Sequence, residues 1–143
     1  MKTRLQNNKE QIFCEWRHRW VRLTPEEWVR QQLLHRLVTQ LGYPASLIAV
    51  EAFITVGEAK KRCDAIVYSN TMQPLMLIEC KAETVPLTQK TLDQALTYNR
   101  RLNVPYLLLY NGPQTIFVTI EPNGKNTNTA RIPGYADLLR CKQ

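Results

Sequence analysis

No CxxC pair occurs in the chain. Cys14, Cys63, Cys80 and Cys141 are scattered, which argues against a zinc site and leaves reduced, mostly packed thiols as the expectation. The two histidines, His18 and His35, are isolated, and neither is assigned a catalytic role. No apolar N-terminal segment reads as a secretory leader, and no apolar run approaches the length of a membrane span. There is no internal repeat and no low-complexity stretch. These absences point to a cytoplasmic protein with no membrane partner.

What the chain does carry is positive charge. Nineteen Lys and Arg against twelve Asp and Glu give a net charge of +7, which favours acidic partners, nucleic acid first. A chain of 143 residues can bury a sizeable core without staples, so residues 1–143 are expected as one domain. About residues 1–20 are expected as a flexible N-terminal arm with a frayed, polar start. In "IFCEWRHRWVRL", Trp16 and Trp20 are expected to cap the core. Arg17, Arg19 and Arg22 are expected to be solvated, although such a mixture could also clamp nucleic acid.

"LTPEEWVRQQLLHRLVTQLG" is the clearest helix. Thr24 is its N-cap, Pro25 suits its first position, and Glu27 completes a capping box. Leu33, Leu37 and Leu41 recur at helical spacing, with Trp28, Leu34 and Val38 beside them. Strands follow at "SLIAVEAFIT", "KKRCDAIVYS" and "LMLIECKA", spaced closely enough for a meander. "LTQKTLDQALTYNRRL" reads as a second helix capped by Thr88. Two more strands, "YLLLYN" and "QTIFVTIE", precede a polar loop, "PNGKNTNTA", and a short helix near "YADLLR". The order α-β-β-β-α-β-β gives an α/β fold with one mixed sheet flanked by helices, including a crossover through the second helix.

The third of these strands ends oddly. Four apolar residues of "LMLIECKAE" run into Glu79, and Lys81 follows two places later. Alternation puts Glu79 and Lys81 on one face. Asp64 begins an apolar run on the preceding strand. If the two strands pair, Asp64 and Glu79 converge with Lys81 adjacent. Oxygen ligands of this kind suit Mg²⁺ or Mn²⁺, which polarise a phosphoryl group and acidify a water. An ammonium beside them can orient that water or stabilise developing charge. The chemistry implied is metal-dependent hydrolysis of a phosphodiester. The plainer reading is a Glu79–Lys81 ion pair at a strand end.

Asp64 and Glu79-Cys80-Lys81 resemble the signature of the PD-(D/E)xK nucleases. Over about residues 20–120 the chain resembles, more narrowly, the N-terminal domain of type I restriction enzyme R subunits in a stand-alone form. The blocks are "LTPEEWVRQ", "GYPASLIAVE", "KRCDAIVY", "LIECKA", "DQALTYN" and "LLLYNG". The resemblance implies a restriction-endonuclease-like core and a Mg²⁺-dependent endonuclease acting on DNA. Asp64 and Glu79 would be metal ligands, the Cys80 carbonyl a further one, and Lys81 the catalytic lysine. Glu27 would add an acidic residue beside the metal, although its capping role explains it equally well. Gln94 and Tyr98 would brace the site or touch the nucleic-acid backbone, although Tyr98 also suits helix packing. Cys63 stands where the signature has proline.

Lys60, Lys61 and Arg62 lead into the Asp64 strand and are candidate phosphate contacts, as are Lys90 and Arg101 flanking the second helix. No helicase, translocase or sequence-reading module is read in the chain, so a protein partner is expected to supply recognition or translocation. The alternative is a non-catalytic nucleic-acid-binding or assembly module that retains the nuclease fold.

Overall fold

A computed structural model describes residues 1–141 of the chain. Three short strands come first: β1 (Thr3–Gln6), β2 (Lys9–Cys14) and β3 (Arg19–Arg22). Helix α1 (Pro25–Thr39) and a 3-10 turn (Ala45–Leu47) lead into β4 (Ile48–Val56), β5 (Ala59–Tyr68) and β6 (Pro74–Cys80). Helix α2 (Gln89–Leu102) is followed by β7 (Tyr106–Tyr110), β8 (Thr115–Ile120), β9 (Asn126–Thr129) and α3 (Tyr135–Cys141). Strands β4 to β9 lie in chain order in one six-stranded sheet. Among the described strands only β6 and β7 pair in parallel, which is the pairing that a crossover through α2 allows. The fold is therefore mixed α/β with helices against the sheet, as the sequence pattern predicts.

The five residues of β7, "YLLLY", are all buried, as expected of a strand covered on both faces. One face packs Leu33, Leu34 and Leu37 of α1 and Leu138 of α3 against Met76, Ile78 and Leu108. The other packs Leu92, Ala95 and Leu102 of α2 against Ile66, Leu77 and Leu107. Each fully buried leucine contributes about 1.5–3 kcal/mol. Trp28 does not join the apolar stripe of α1 and stays 36% exposed. Thr24 caps α1 by accepting the Glu27 N–H at 3.0 Å, but the Glu27 carboxylate turns elsewhere, so the expected capping box is half made. The box at α2 is complete, between Thr88 and Thr91.

Residues expected as a flexible arm form a three-stranded antiparallel sheet instead. Asn7 and Asn8 take φ of 53° and 62°, the two positive angles that a two-residue type I′ hairpin turn demands. Ile12 and Cys14, alternate residues of β2, are fully buried and anchor this sheet on the body. Trp16 packs on the core and donates its indole N–H to the Ala45 carbonyl at 3.3 Å. The polar stretch expected as a loop after Ile120 is likewise partly a strand, β9, paired with β8 at the edge of the sheet. Gly124 at φ 87° makes the intervening turn.

Cys14, Cys63 and Cys80 are free and buried; the Cys141 side chain lies outside what the structure describes. Among the described residues no helix is long and apolar enough to cross a membrane.

Candidate active site

Three neighbouring strands bring three carboxylates to one level. The β4–β5 register runs through Val50↔Ala65 and Ala52↔Cys63, which sets Glu51 opposite Asp64. The β5–β6 register stops at Ala65↔Ile78, and one step further sets Asp64 opposite Glu79. Where that ladder stops, the Cys80 N–H needs another acceptor. Asp64 supplies it through Oδ2 at 2.7 Å, which fixes its carboxylate at the end of β6.

Glu51 takes φ 51°, a left-handed conformation uncommon for a side-chain-bearing residue and costing about 1–2 kcal/mol. The pleat changes sides there. Ile48 and Val50 pack in the α1 cluster, while Ala52 and Ile54, of the same parity, pack in the α2 cluster. The bend turns the Glu51 carboxylate toward the arginines of the α1 side.

Those arginines bind three carboxylates. Arg30 of α1 donates to Glu27, to Glu51 Oε1 at 3.2 Å and to Asp64 Oδ1 at 3.5 Å. Arg17, in the turn before β3, donates to Glu27 Oε1 at 2.7 Å, pairs with Glu51 Oε2 at 3.2 Å and reaches Cys14 Sγ at 3.2 Å. The side chain of Arg17 is only 11% exposed, so the expectation that it is solvated is corrected. Burial pushes the Glu27 carboxyl up, but hydrogen bonds from Arg30, Arg17 and Gln31 outweigh it and hold Glu27 below its usual range. Glu51 is also held low: Arg17 and Arg30 overcome the effect of burial. Asp64 goes the other way. Burial, with Glu26 and Glu79 nearby, raises its carboxyl despite the Cys80 N–H and Arg30.

Glu79 forms an ion pair with Lys61 of β5. The Lys61 ammonium sits 4.8 Å over the Tyr98 ring, and the Tyr98 hydroxyl donates to the Lys60 carbonyl at 3.0 Å. Tyr98 therefore ties α2 to β5 next to Glu79. Lys81 lies just past β6, held by its N–H to the Tyr110 carbonyl at 2.9 Å. Its ammonium makes no ion pair among the described residues. The segment behind it is pinned by Asn111, whose amide donates to the Val85 carbonyl at 2.9 Å, and by Gln114, which accepts the Leu87 N–H.

A cavity of about 790 Å³ holds Asp64, Glu79, Lys81, Glu51, Glu27 and Arg30. A second, of about 870 Å³, is lined by Gln94, Lys90 and Tyr98 of α2 and shares Lys61, Glu79 and Lys81 with the first. The structure thus brings Asp64, Glu79, Lys81, Lys61, Arg62, Gln94, Tyr98 and Lys90 along one groove. Lys60 does not join them, because its ammonium lies 4.4 Å over the exposed Phe53 ring. Arg101, near the end of α2, lines neither cavity. Glu27 is in the cavity, but its oxygens are taken by Arg17, Arg30 and Gln31, which leaves a poor metal ligand. Among the described residues no three His, Cys, Asp or Glu side chains form a ready metal cage.

Sequence reasoning missed Arg30 and Glu51, and it named Arg17 only as a solvated or nucleic-acid-clamping residue. Glu51 did leave a signal, a lone charge inside the apolar run "IAVEAFI". Arg30 left a weaker one, three residues after Glu27 on the same helix face.

The family model for the type I restriction enzyme R protein N terminus matches residues 25–133, and the chain belongs to that family. No curated protein matches the chain. Among solved structures, a fragment of a candidate HsdR subunit of a type I restriction enzyme from Vibrio vulnificus YJ016 aligns over 82% of this chain with 17% identity and a TM-score of 0.58. The present chain spans only 25% of that one. A candidate nuclease of the DUF820 group from Anabaena variabilis ATCC 29413 aligns over 94% of this chain and 87% of its own, at 9% identity and a TM-score of 0.51. At these identities the likeness is one of fold, and the fold is nuclease-like.

Proposed function

We propose that the protein is a metal-dependent nuclease that hydrolyses phosphodiester bonds of DNA, as one part of a restriction-type assembly in the cytoplasm. The observation that carries this reading is the meeting of Asp64, midway along β5, with Glu79 at the end of β6, with an uncommitted Lys81 in the same cavity. The family and the nuclease-like fold support it.

The donors fit Mg²⁺ or Mn²⁺. Asp64, Glu79 and the Cys80 carbonyl would offer hard oxygens, the chemistry such ions prefer. The thiols do not compete: burial raises Cys80 and pushes Cys63 up to about 11, so both stay protonated. The raised Asp64 carboxyl marks a crowded, desolvated carboxylate that a cation would relieve. When bound, the ion would polarise the phosphoryl group and acidify a water.

The chain's own groups do the rest. Lys81 would hold the attacking water or stabilise the charge growing on phosphate oxygens. Arg30 and the Cys80 N–H orient Asp64. Gln94 would touch the substrate backbone from α2. Seven cationic side chains face five carboxylates in the main cavity, so phosphates are attracted to the groove although its floor is acidic. Backbone contacts of this kind carry little sequence information, which leaves recognition or translocation to a protein partner.

A second reading, a binding module without catalysis, draws on one observation: the ion pairs of Lys61 with Glu79 and of Arg30 with Asp64 satisfy both carboxylates internally. Incubation with duplex DNA and Mg²⁺ or Mn²⁺, against EDTA, separates the two. Cleavage dependent on metal supports the nuclease, and binding without cleavage of any nucleic acid supports the module.

A further inference from the structure

The N-terminal sheet precedes the matched family region, which begins at residue 25, yet it forms a wall of the acidic cavity. Arg19, Trp20 and Arg22 of β3 line that cavity together with Asp64, Glu79 and Lys81. The cations of the cavity divide into two groups. Arg17, Arg30, Lys61 and Arg62 are committed to internal carboxylates. The side chains of Arg19 and Arg22, both exposed, make no ion pair or hydrogen bond among the described residues, and the Lys81 ammonium is equally uncommitted. A fold that neutralises four cations and leaves three free in the same cavity presents those three to an anion from outside.

The wall is built to hold its arginines in place. The β2–β3 ladder fixes the backbone from Cys14↔Arg19 to Gln11↔Arg22. The Leu23 N–H donates to the Glu10 carbonyl at 2.9 Å and closes its end. Arg4 stacks over Trp20 at 4.3 Å, and Phe13 meets the same indole edge-on at 5.5 Å. Arg17 then staples the turn before β3 to Glu27 and Glu51 inside the site. The strand is thus tied to the carboxylates that flank the candidate metal ligands. The neighbouring groove along α2 shares Lys61, Glu79 and Lys81 with this cavity, while β3 lines only one and α2 only the other. Glu79 and Lys81 therefore lie between a β3 wall and an α2 wall.

We propose that β3 is a second nucleic-acid contact, with Arg19 and Arg22 gripping phosphates on the side of the site away from α2. The inference rests on the nuclease reading and adds to it the path of the substrate: over β3, past Lys81 and Glu79, and along α2. The isolated region matched by the family model would then lack half of its grip on DNA.

The test is fluorescence anisotropy of the full chain with a labelled DNA duplex in EDTA across a salt series, comparing wild type, R19A/R22A and R19K/R22K. Each phosphate contact adds roughly 0.9 to the slope of log affinity against log salt, so R19A/R22A should lose roughly 1.8 from that slope. R19K/R22K should keep most of it, and all three proteins should melt together and bind Mn²⁺ alike. An unchanged slope in R19A/R22A overturns the inference and leaves the nuclease reading standing. A lower melting temperature with equal loss in R19K/R22K makes the effect one of folding, and also overturns it. A wild type that binds no DNA at low salt overturns the nuclease reading itself.

Discussion

Lys61, not Lys81, holds the carboxylate of Glu79. A strand-end ion pair between Glu79 and Lys81 was the plainest explanation for this charged tripeptide, and the structure assigns that task to a lysine on the neighbouring strand. Lys81 is left in the cavity with its ammonium uncommitted, which is what a group acting on substrate requires.

Lys81→Ala should therefore abolish cleavage while leaving the fold unharmed. No ion pair is lost, so stability should stay within about 0.5 kcal/mol of wild type. DNA affinity should fall only modestly, and Mn²⁺ binding should not change. Single-turnover cleavage, read beside thermal melting and anisotropy, checks all three.

Lys61→Ala should make metal binding tighter. In the ion-free protein Lys61 competes for Glu79 in a pair whose side chains are 20% and 22% exposed, and an ion pair that solvent reaches contributes about 0.2–1 kcal/mol. Its removal should strengthen Mn²⁺ affinity by up to roughly fivefold, measured by titration calorimetry. Weaker binding in the variant would mean that Lys61 does not compete with the ion for Glu79.

Asp64→Asn separates ligand from scaffold. The amide oxygen can still accept the Cys80 N–H, so the about 1–3 kcal/mol cost of orphaning that donor is avoided. Mn²⁺ binding should be lost at a nearly unchanged melting temperature, whereas Asp64→Ala should lose both. Wild-type affinity in Asp64→Asn would remove Asp64 from the ligand set.

The sheet and its helices were legible because their signals are local. "YLLLY" is a continuous apolar run, Thr24 and Pro25 mark a helix start, and Asp64 and Glu79 each interrupt a strand. The N-terminal sheet was not, because Asn7-Asn8 is a weaker turn signal than Asn-Gly and only Ile12 and Cys14 reveal its buried face. The Arg17–Glu27–Arg30–Glu51 network was illegible for another reason. Arg17 and Glu51 lie far apart in the chain, and no periodicity links them. Glu51 changes the side of the pleat through one left-handed residue, which alternation cannot foresee.

That network should show in the acid limb of stability. The Glu27 carboxyl lies lower in the fold than its unfolded value of about 4.3, so its contribution is present above that pH and is lost as pH falls through the lowered value. Glu27→Gln breaks a buried pair and should cost about 3 kcal/mol near neutrality. It should also flatten the fall in stability below pH 5. Urea denaturation of wild type and variant across pH checks both, and parallel curves would show that Glu27 is not held ionised by the arginines.

The decisive measurement is cleavage of labelled duplex, single-stranded and branched DNA by the purified full chain, with Mg²⁺ or Mn²⁺ and with EDTA, in wild type and Asp64→Asn. Metal-dependent cleavage by wild type, absent in EDTA and in Asp64→Asn, is the expected result. Cleavage that persists in EDTA, or equal cleavage by Asp64→Asn, would contradict a metal-dependent site built on Asp64 and Glu79.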